Sequence, residues 1–311
     1  MAPLAANSAP WFSTVHARVN DSDGGLSRAP SVSYNGVMRQ LLGPAIGLIA
    51  VCAGACASAP YTHRSQFILV SESQETALGA DAYRQVLSKE KVNNDPNINA
   101  VVREVGERIA RVADRPDYKW QFTVIDAPDT VNAFALPGGK VAVYTGLLPV
   151  AKDTAGLAAV LGHEVGHAIA HHGAERMSQA MGAQAIGTVL AVGLSGTDPN
   201  SANAIMQLYG LGAQVGVLLP WSRTQESEAD HIGLILMAKA GYDPGAALAL
   251  WQRMEKLEGK GKNSAPPEFL STHPGYGTRE QDIKTWLSES QRYYQPNANA
   301  KVIPLPVPSG K

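Results

Sequence analysis

The stretch His163-Glu164-Val165-Gly166-His167 constrains this chain more than any other. It sets two imidazoles four positions apart, with a carboxylate directly after the first. On a helix, residues four apart share a face one turn above the other. His163 and His167 would then stand close enough to share one ion, with Glu164 beside that face and in reach of a water there. The flanks support a helix. Asp153 can cap its start, and Leu157, Leu161, Val165, Ala168 and Ile169 recur at spacings of three and four. Gly166 costs about 1 kcal/mol relative to Ala, which is tolerable where a neighbouring backbone or a substrate comes close. Gly173, after His171 and His172, is the expected stop. The alternative is a buried helix whose histidines are hydrogen-bonded core residues.

Neutral imidazoles are good zinc ligands, and the several cysteines of a structural zinc site are absent. Two histidines and a glutamate in this order form the HExxH arrangement of zinc peptidases. A catalytic zinc needs a third protein ligand and one open position. A third histidine six residues after the second is one solution, but Gly173 stands there. A glutamate from a second helix is another, and Ser222–Asp230 supplies one. Glu226 and Asp230 are four apart and share a face. Glu226 is the candidate third ligand to a single Zn2+. Asp230 would accept a hydrogen bond from the outer nitrogen of a ligand histidine, fixing its tautomer. Glu228 is expected to point elsewhere, into solvent, and His231 to be structural. An ordinary charged helix face is the competing reading.

Four ordered motifs then carry a resemblance: Asn132-Ala133-Phe134-Ala135-Leu136-Pro137-Gly138-Gly139, HEVGH, Glu226-Ser227-Glu228-Ala229-Asp230, and Ser271-Thr272-His273-Pro274 with Arg279 six residues after His273. From about Glu75 to Ser290 the chain resembles the HtpX and CAAX prenyl protease type of gluzincin zinc metallopeptidase, in particular its periplasmic BepA-like lipoprotein branch. The resemblance implies an α+β, mostly helical zincin-like domain with a small antiparallel sheet beside the HExxH helix. It implies zinc on His163, His167 and Glu226, and Glu164 as general base of a metalloendopeptidase. His273 and Arg279 would lie near the open coordination position. The substrates implied are misfolded or misassembled envelope proteins. The alternative function is a periplasmic chaperone or assembly factor for outer-membrane proteins, with their assembly machinery as partner.

Trp120–Val124 alternates as a half-buried strand does, Val131–Leu136 is a second candidate, and Val141–Tyr144 continues after a Gly138-Gly139 turn. The edge at Asn132, Ala133, Phe134 and Ala135 can take an extended peptide by strand addition, or the hairpin simply packs on the core. His273 has three readings: oxyanion stabiliser, resting ligand at the fourth metal position, or neither. Arg279 has two: it holds an oxyanion or substrate carbonyl, or it pairs with a neighbouring carboxylate.

The net charge of −1 leaves no basic footprint for nucleic acid. Residues 1–37 read as an extension upstream of a start at Met38. Residues 38–59 read as a signal peptide. Cys56 is the favoured lipidation site over Cys52; a cut after Ala55 or Ala59, or a single membrane anchor, is the alternative. With Ala57 after Cys56, the resemblance implies the outer membrane of a bacterial periplasm, reached only through the lipid anchor. A linker is expected over 60–74, the peptidase domain over 75–290 and a disordered Pro-rich tail over 291–311. Ser71 and Gln74 suggest a capping box, and Pro96 and Pro244 open helices. Met177–Leu219, rich in Gly and Ala, reads as a helical hairpin rather than a membrane span.

Overall fold

In the computed structural model two short strands, β1 (Cys56–Ser58) and β2 (Ser65–Phe67), pair antiparallel at the start of the described residues. It describes residues 56–213, 219–259, 268–273, 278–297 and 300–306, all within one unit, Ala50–Lys311. The upstream extension, the apolar stretch through Ala55 and Cys52 lie outside the described residues. Cys56 pairs with Phe67 and Ala59 is buried, so a cut after Ala59 would remove β1. The expected linker over 60–74 is instead an ordered strap, because β2 and its polar side chains dock on the helices that follow.

Helix α1 (Glu72–Leu87) starts where Ser71 and Gln74 cap each other, and α2 (Pro96–Val112) where Asp95 accepts from the Asn97 and Ile98 N–H groups. Strands β3 (Gln121–Ile125), β4 (Ala133–Leu136) and β5 (Lys140–Tyr144) form a sheet in the order β3-β5-β4. β4 and β5 are an antiparallel hairpin, but β3 and β5 run parallel. The expected antiparallel sheet is therefore mixed. The physical reason is burial. β5 carries the most buried side chains of the three, Val141 to Tyr144, and takes the centre, so the chain leaves β3 for the far edge before returning.

A short helix α3 (Leu148–Ala151) leads into α4 (Thr154–Ile169), which carries the HEVGH stretch; Asp153 caps it by accepting from the Gly156 N–H at 2.9 Å. Every residue of α4 is buried, so it is the central helix of the fold. It ends before Gly173. His171, at φ 52°, separates it from α5 (His172–Gly193), and its ring is held by Glu75 and Arg115. Helix α6 (Pro199–Ala213) completes a hairpin that exposes Ile186, Val189, Val192 and Leu208. Among the described residues no helix is long and apolar enough to cross a membrane. Then come α7 (Leu219–Lys239), α8 (Gly245–Gly259), α9 (Glu268–Thr272) and α10 (Arg279–Ser290). The expected loop over Gly259–Pro267 lies almost wholly outside the described residues.

The contact that builds the site is α4 against α7. A Cβ on Gly162 would stand 2.8 Å from the Gly233 carbonyl oxygen, and one on Gly233 would stand 2.8 Å from the His163 nitrogen. Real Cβ atoms do not sit that close to backbone, so only glycine lets the two helices touch there. That close crossing brings the Glu226 turn of α7 over the ligand turn of α4.

The described part of the tail, residues 291–297 and 300–306, departs from the expected disorder. Leu305 donates to the Lys152 carbonyl, Thr154 donates to the Ile303 carbonyl, and Ala300 and Leu305 are buried. Composition hid these contacts, because prolines that remove donors still leave carbonyls and neighbours free to bond.

Candidate metal centre

His163 and His167 lie one turn apart on α4, and their Nε2 atoms approach to 3.1 Å. Glu226 faces both, at 3.4 Å from His163 Nε2 and 3.3 Å from His167 Nε2. His273, at the end of α9, brings Nδ1 to 3.2 Å from Glu226 Oε1 and 3.2 Å from His163 Nε2. The four residues are buried, and their donor atoms all lie within 4.8 Å of one another. Donors about 2.0–2.1 Å from a tetrahedral zinc stand roughly 3.3 Å apart. The spacings of 3.1–3.4 Å among most of these donors fit that figure.

The hydrogen bonds around the donors fix what each offers. His163 Nδ1 meets Asp230 Oδ1 at 2.8 Å, so it carries the proton and leaves Nε2 for a ligand. Asp230 is held in turn by Arg279, at 2.7 and 2.9 Å, and the Arg279 guanidinium carbon lies over the Trp251 ring, 3.3 Å from its centroid. Of the two readings of Arg279, the carboxylate pairing is the arrangement observed. Its guanidinium faces Asp230 and, at 3.7 Å, Glu226. Arg279 thereby braces the carboxylate that meets His163 Nδ1.

Burial opposes a charge on His163, but hydrogen bonds and charge from Asp230 and Glu226 outweigh it and raise the ring to about 9. Burial also keeps His167 and His172 below the usual imidazole range. The carboxylate of Glu226 is driven the other way: burial is outweighed by His167, His163 and His273, which hold it ionised. The shifts of His163 and Glu226 have one cause, the two carboxylates facing the imidazoles, which favours positive charge between these donors. Zinc takes a neutral imidazole, so uptake must displace the extra proton of His163. Apparent zinc affinity should therefore rise with pH up to about 9, by about tenfold per unit for one proton released. Chelator competition at three pH values checks this; a flat profile contradicts it.

Glu164 sits between the centre and the sheet. Its Oε2 accepts from the Ala135 N–H at 3.0 Å. Its Oε1 is buried without a hydrogen-bond partner among the described residues and faces the cluster, 3.4 Å from His273 Nε2. Burial pushes this carboxyl above its usual range. The edge strand β4 is not free in this state: the Ala133 N–H is taken by the Asn132 side chain and the Ala135 N–H by Glu164. Asn132 also donates to Glu268, and Phe134 packs on Tyr144 at the back of the sheet.

Sequence reasoning missed a second set of residues. Glu228, expected in solvent, is buried and accepts from Thr62, Arg64 and His172. His172, expected to be a helix end, is fully buried and meets His167 Nδ1 at 2.8 Å. The spacing of His172, five after His167, was the only local signal. Arg64 lies about a hundred residues away and had none. His231 stacks on Trp286 and bonds Glu289, away from the centre.

The model of Peptidase family M48 matches residues 96–287, more than half the chain. The chain belongs to peptidase family M48. It is a metallopeptidase by that membership, and zinc is the family's metal. Among its relatives is the mitochondrial metalloendopeptidase OMA1 of Schizosaccharomyces pombe, 40% identical over 75% of this chain and 66% of that protein. The OMA1 of Saccharomyces cerevisiae is 30% identical over 79% of this chain and 76% of its own length. The beta-barrel assembly-enhancing protease of Escherichia coli is 28% identical over 69% of this chain and 44% of that protein. The chain thus spans just under two thirds of the fission-yeast relative and less than half of the bacterial one. The expected gluzincin family holds at the level of peptidase family M48, whereas the HtpX and CAAX prenyl protease type and the periplasmic lipoprotein branch are not confirmed, the OMA1 proteins matching at higher identity than the bacterial relative. The expected bacterial periplasm and outer-membrane anchor are overturned by the same finding: the better-matching relatives are mitochondrial by name. These relatives do not show an outer-membrane assembly partner for this chain.

Proposed function

We propose that this M48 peptidase cleaves misfolded or misassembled polypeptides internally and is latent in the state described above. The observation that carries the reading is the placement of Glu164 beside four converging donors, with one carboxylate oxygen tethered by Ala135 and the other aimed inward. His163, His167 and Glu226 would hold the zinc. When bound, zinc supplies a Lewis acid that polarises the scissile carbonyl and lowers the pKa of the attacking water. Glu164 takes the proton of that water and returns it to the leaving amine. Asp230 and Arg279 keep His163 in the tautomer a ligand needs.

His273 occupies the fourth corner of the donor cluster, which supports its reading as a resting ligand. Substrate entry then requires His273 to leave and Glu164 to release Ala135, which frees an edge N–H of β4 for an extended peptide. The ordinary setting of the relatives favours a mitochondrion over a periplasm for the substrates. Zinc content measured beside casein cleavage, for wild type and Glu164→Gln, tests the assignment. Metal without cleavage in the variant is the expected result; cleavage by the variant rejects Glu164 as base.

A further inference from the structure

We propose that Arg64, Glu228 and His172 form a relay that positions His167 for the metal, making the strap before the family domain part of the metal site. The inference rests on the zinc reading above and extends it to residues outside the matched stretch, which begins at residue 96.

Glu228 is acceptor-only as a carboxylate, and it receives the Thr62 hydroxyl, Arg64 Nε at 2.8 Å and His172 Nε2 at 3.0 Å. His172 Nε2 therefore carries the hydrogen. In a neutral ring its Nδ1 then carries a lone pair. That Nδ1 lies 2.8 Å from His167 Nδ1, so His167 must donate there. The one orientation left for His167 puts its Nε2 lone pair among the donors. Reversing any bond in this chain would turn an N–H toward the cation instead.

Arg64 is itself locked. It pairs with Glu175 through two bonds of 2.7 and 2.8 Å, and Gln225 holds Glu175 at 2.7 Å. Gln66, on β2, anchors the same strap by donating to the Ala170 carbonyl at 2.5 Å. His163 is served by Asp230 and Arg279, His167 by His172, Glu228 and Arg64. Both imidazoles are braced through a carboxylate to an arginine, but the second brace reaches a part of the chain that the HExxH pattern does not foretell.

The test is zinc affinity by chelator competition on the full chain, for wild type, His172→Leu, His172→Asn and Arg64→Ala. His172→Leu should weaken zinc by about 10–100-fold, and Arg64→Ala by about tenfold. In His172→Asn the introduced amide oxygen can accept from His167 near the lost Nδ1, so this variant should recover most of the affinity. A purely structural network would lower the melting temperature of the zinc-free variants and leave zinc affinity within about twofold, which overturns the relay. Should the variants not fold, the wild type decides. Nitrogen-15 imidazole spectra of the zinc-loaded chain should find the hydrogen of His167 on Nδ1, and a hydrogen on Nε2 overturns the proposal. A wild type that takes up no zinc overturns the metal reading as well, whereas a zinc-loaded wild type with unaffected variants overturns the relay alone.

Discussion

Glu164→Gln should keep its zinc and lose about 10²–10⁴-fold in peptide hydrolysis, the contribution of a positioned acid–base group. The substitution suits the geometry. A glutamine oxygen can still accept from the Ala135 N–H at the place of Oε2. Its amide nitrogen would fall where Oε1 now faces the cluster, and an amide cannot take a proton from water. The three side chains proposed to hold zinc are untouched, so metal content and fold should match wild type. A cleavage rate within a few fold of wild type at full zinc loading would remove Glu164 from the chemistry.

His273→Ala should act in the opposite direction, raising basal proteolysis. In this state His273 closes the fourth corner, stacked on Phe269 with 4.6 Å between ring centroids and 3.2 Å from Glu226. If the open form is about 1% of the population at rest, removing the competing donor should raise the rate by up to about 100-fold. Zinc should stay, because three donors remain. The measurement is casein turnover per bound zinc. An unchanged or lower rate at full occupancy would assign His273 a part in the reaction, or none, rather than a resting block.

Much of this architecture was legible along the chain because its signals are local. Asp153, Ser71 with Gln74, and Asp95-Pro96 each announce a helix start within four residues, and each cap forms. The HEVGH spacing and the Glu226–Asp230 spacing place the right side chains on two helix faces. What was not legible depended on partners distant in sequence. Glu226 and Glu228 point to different sides of α7, and a charged residue off the ligand face reads as solvated. Here that second side meets Thr62, Arg64 and His172, so it is buried too. The parallel pairing of β3 and β5 was hidden for a similar reason. Three closely spaced strands read as an antiparallel sheet, and only the demand for burial at Val141 and Val143 puts β5 in the middle. The tail was misread because proline content describes stiffness and missing donors, not the carbonyls that Thr154 finds.

In the proposed site His163, His167 and Glu226 hold one zinc ion together. Metal analysis of the purified full chain beside Glu226→Ala tests it most directly. Wild type should carry about one zinc per chain and the variant little or none, with the fold retained by circular dichroism. Equal zinc in both, or less than about half an equivalent in wild type after incubation with zinc, would contradict it.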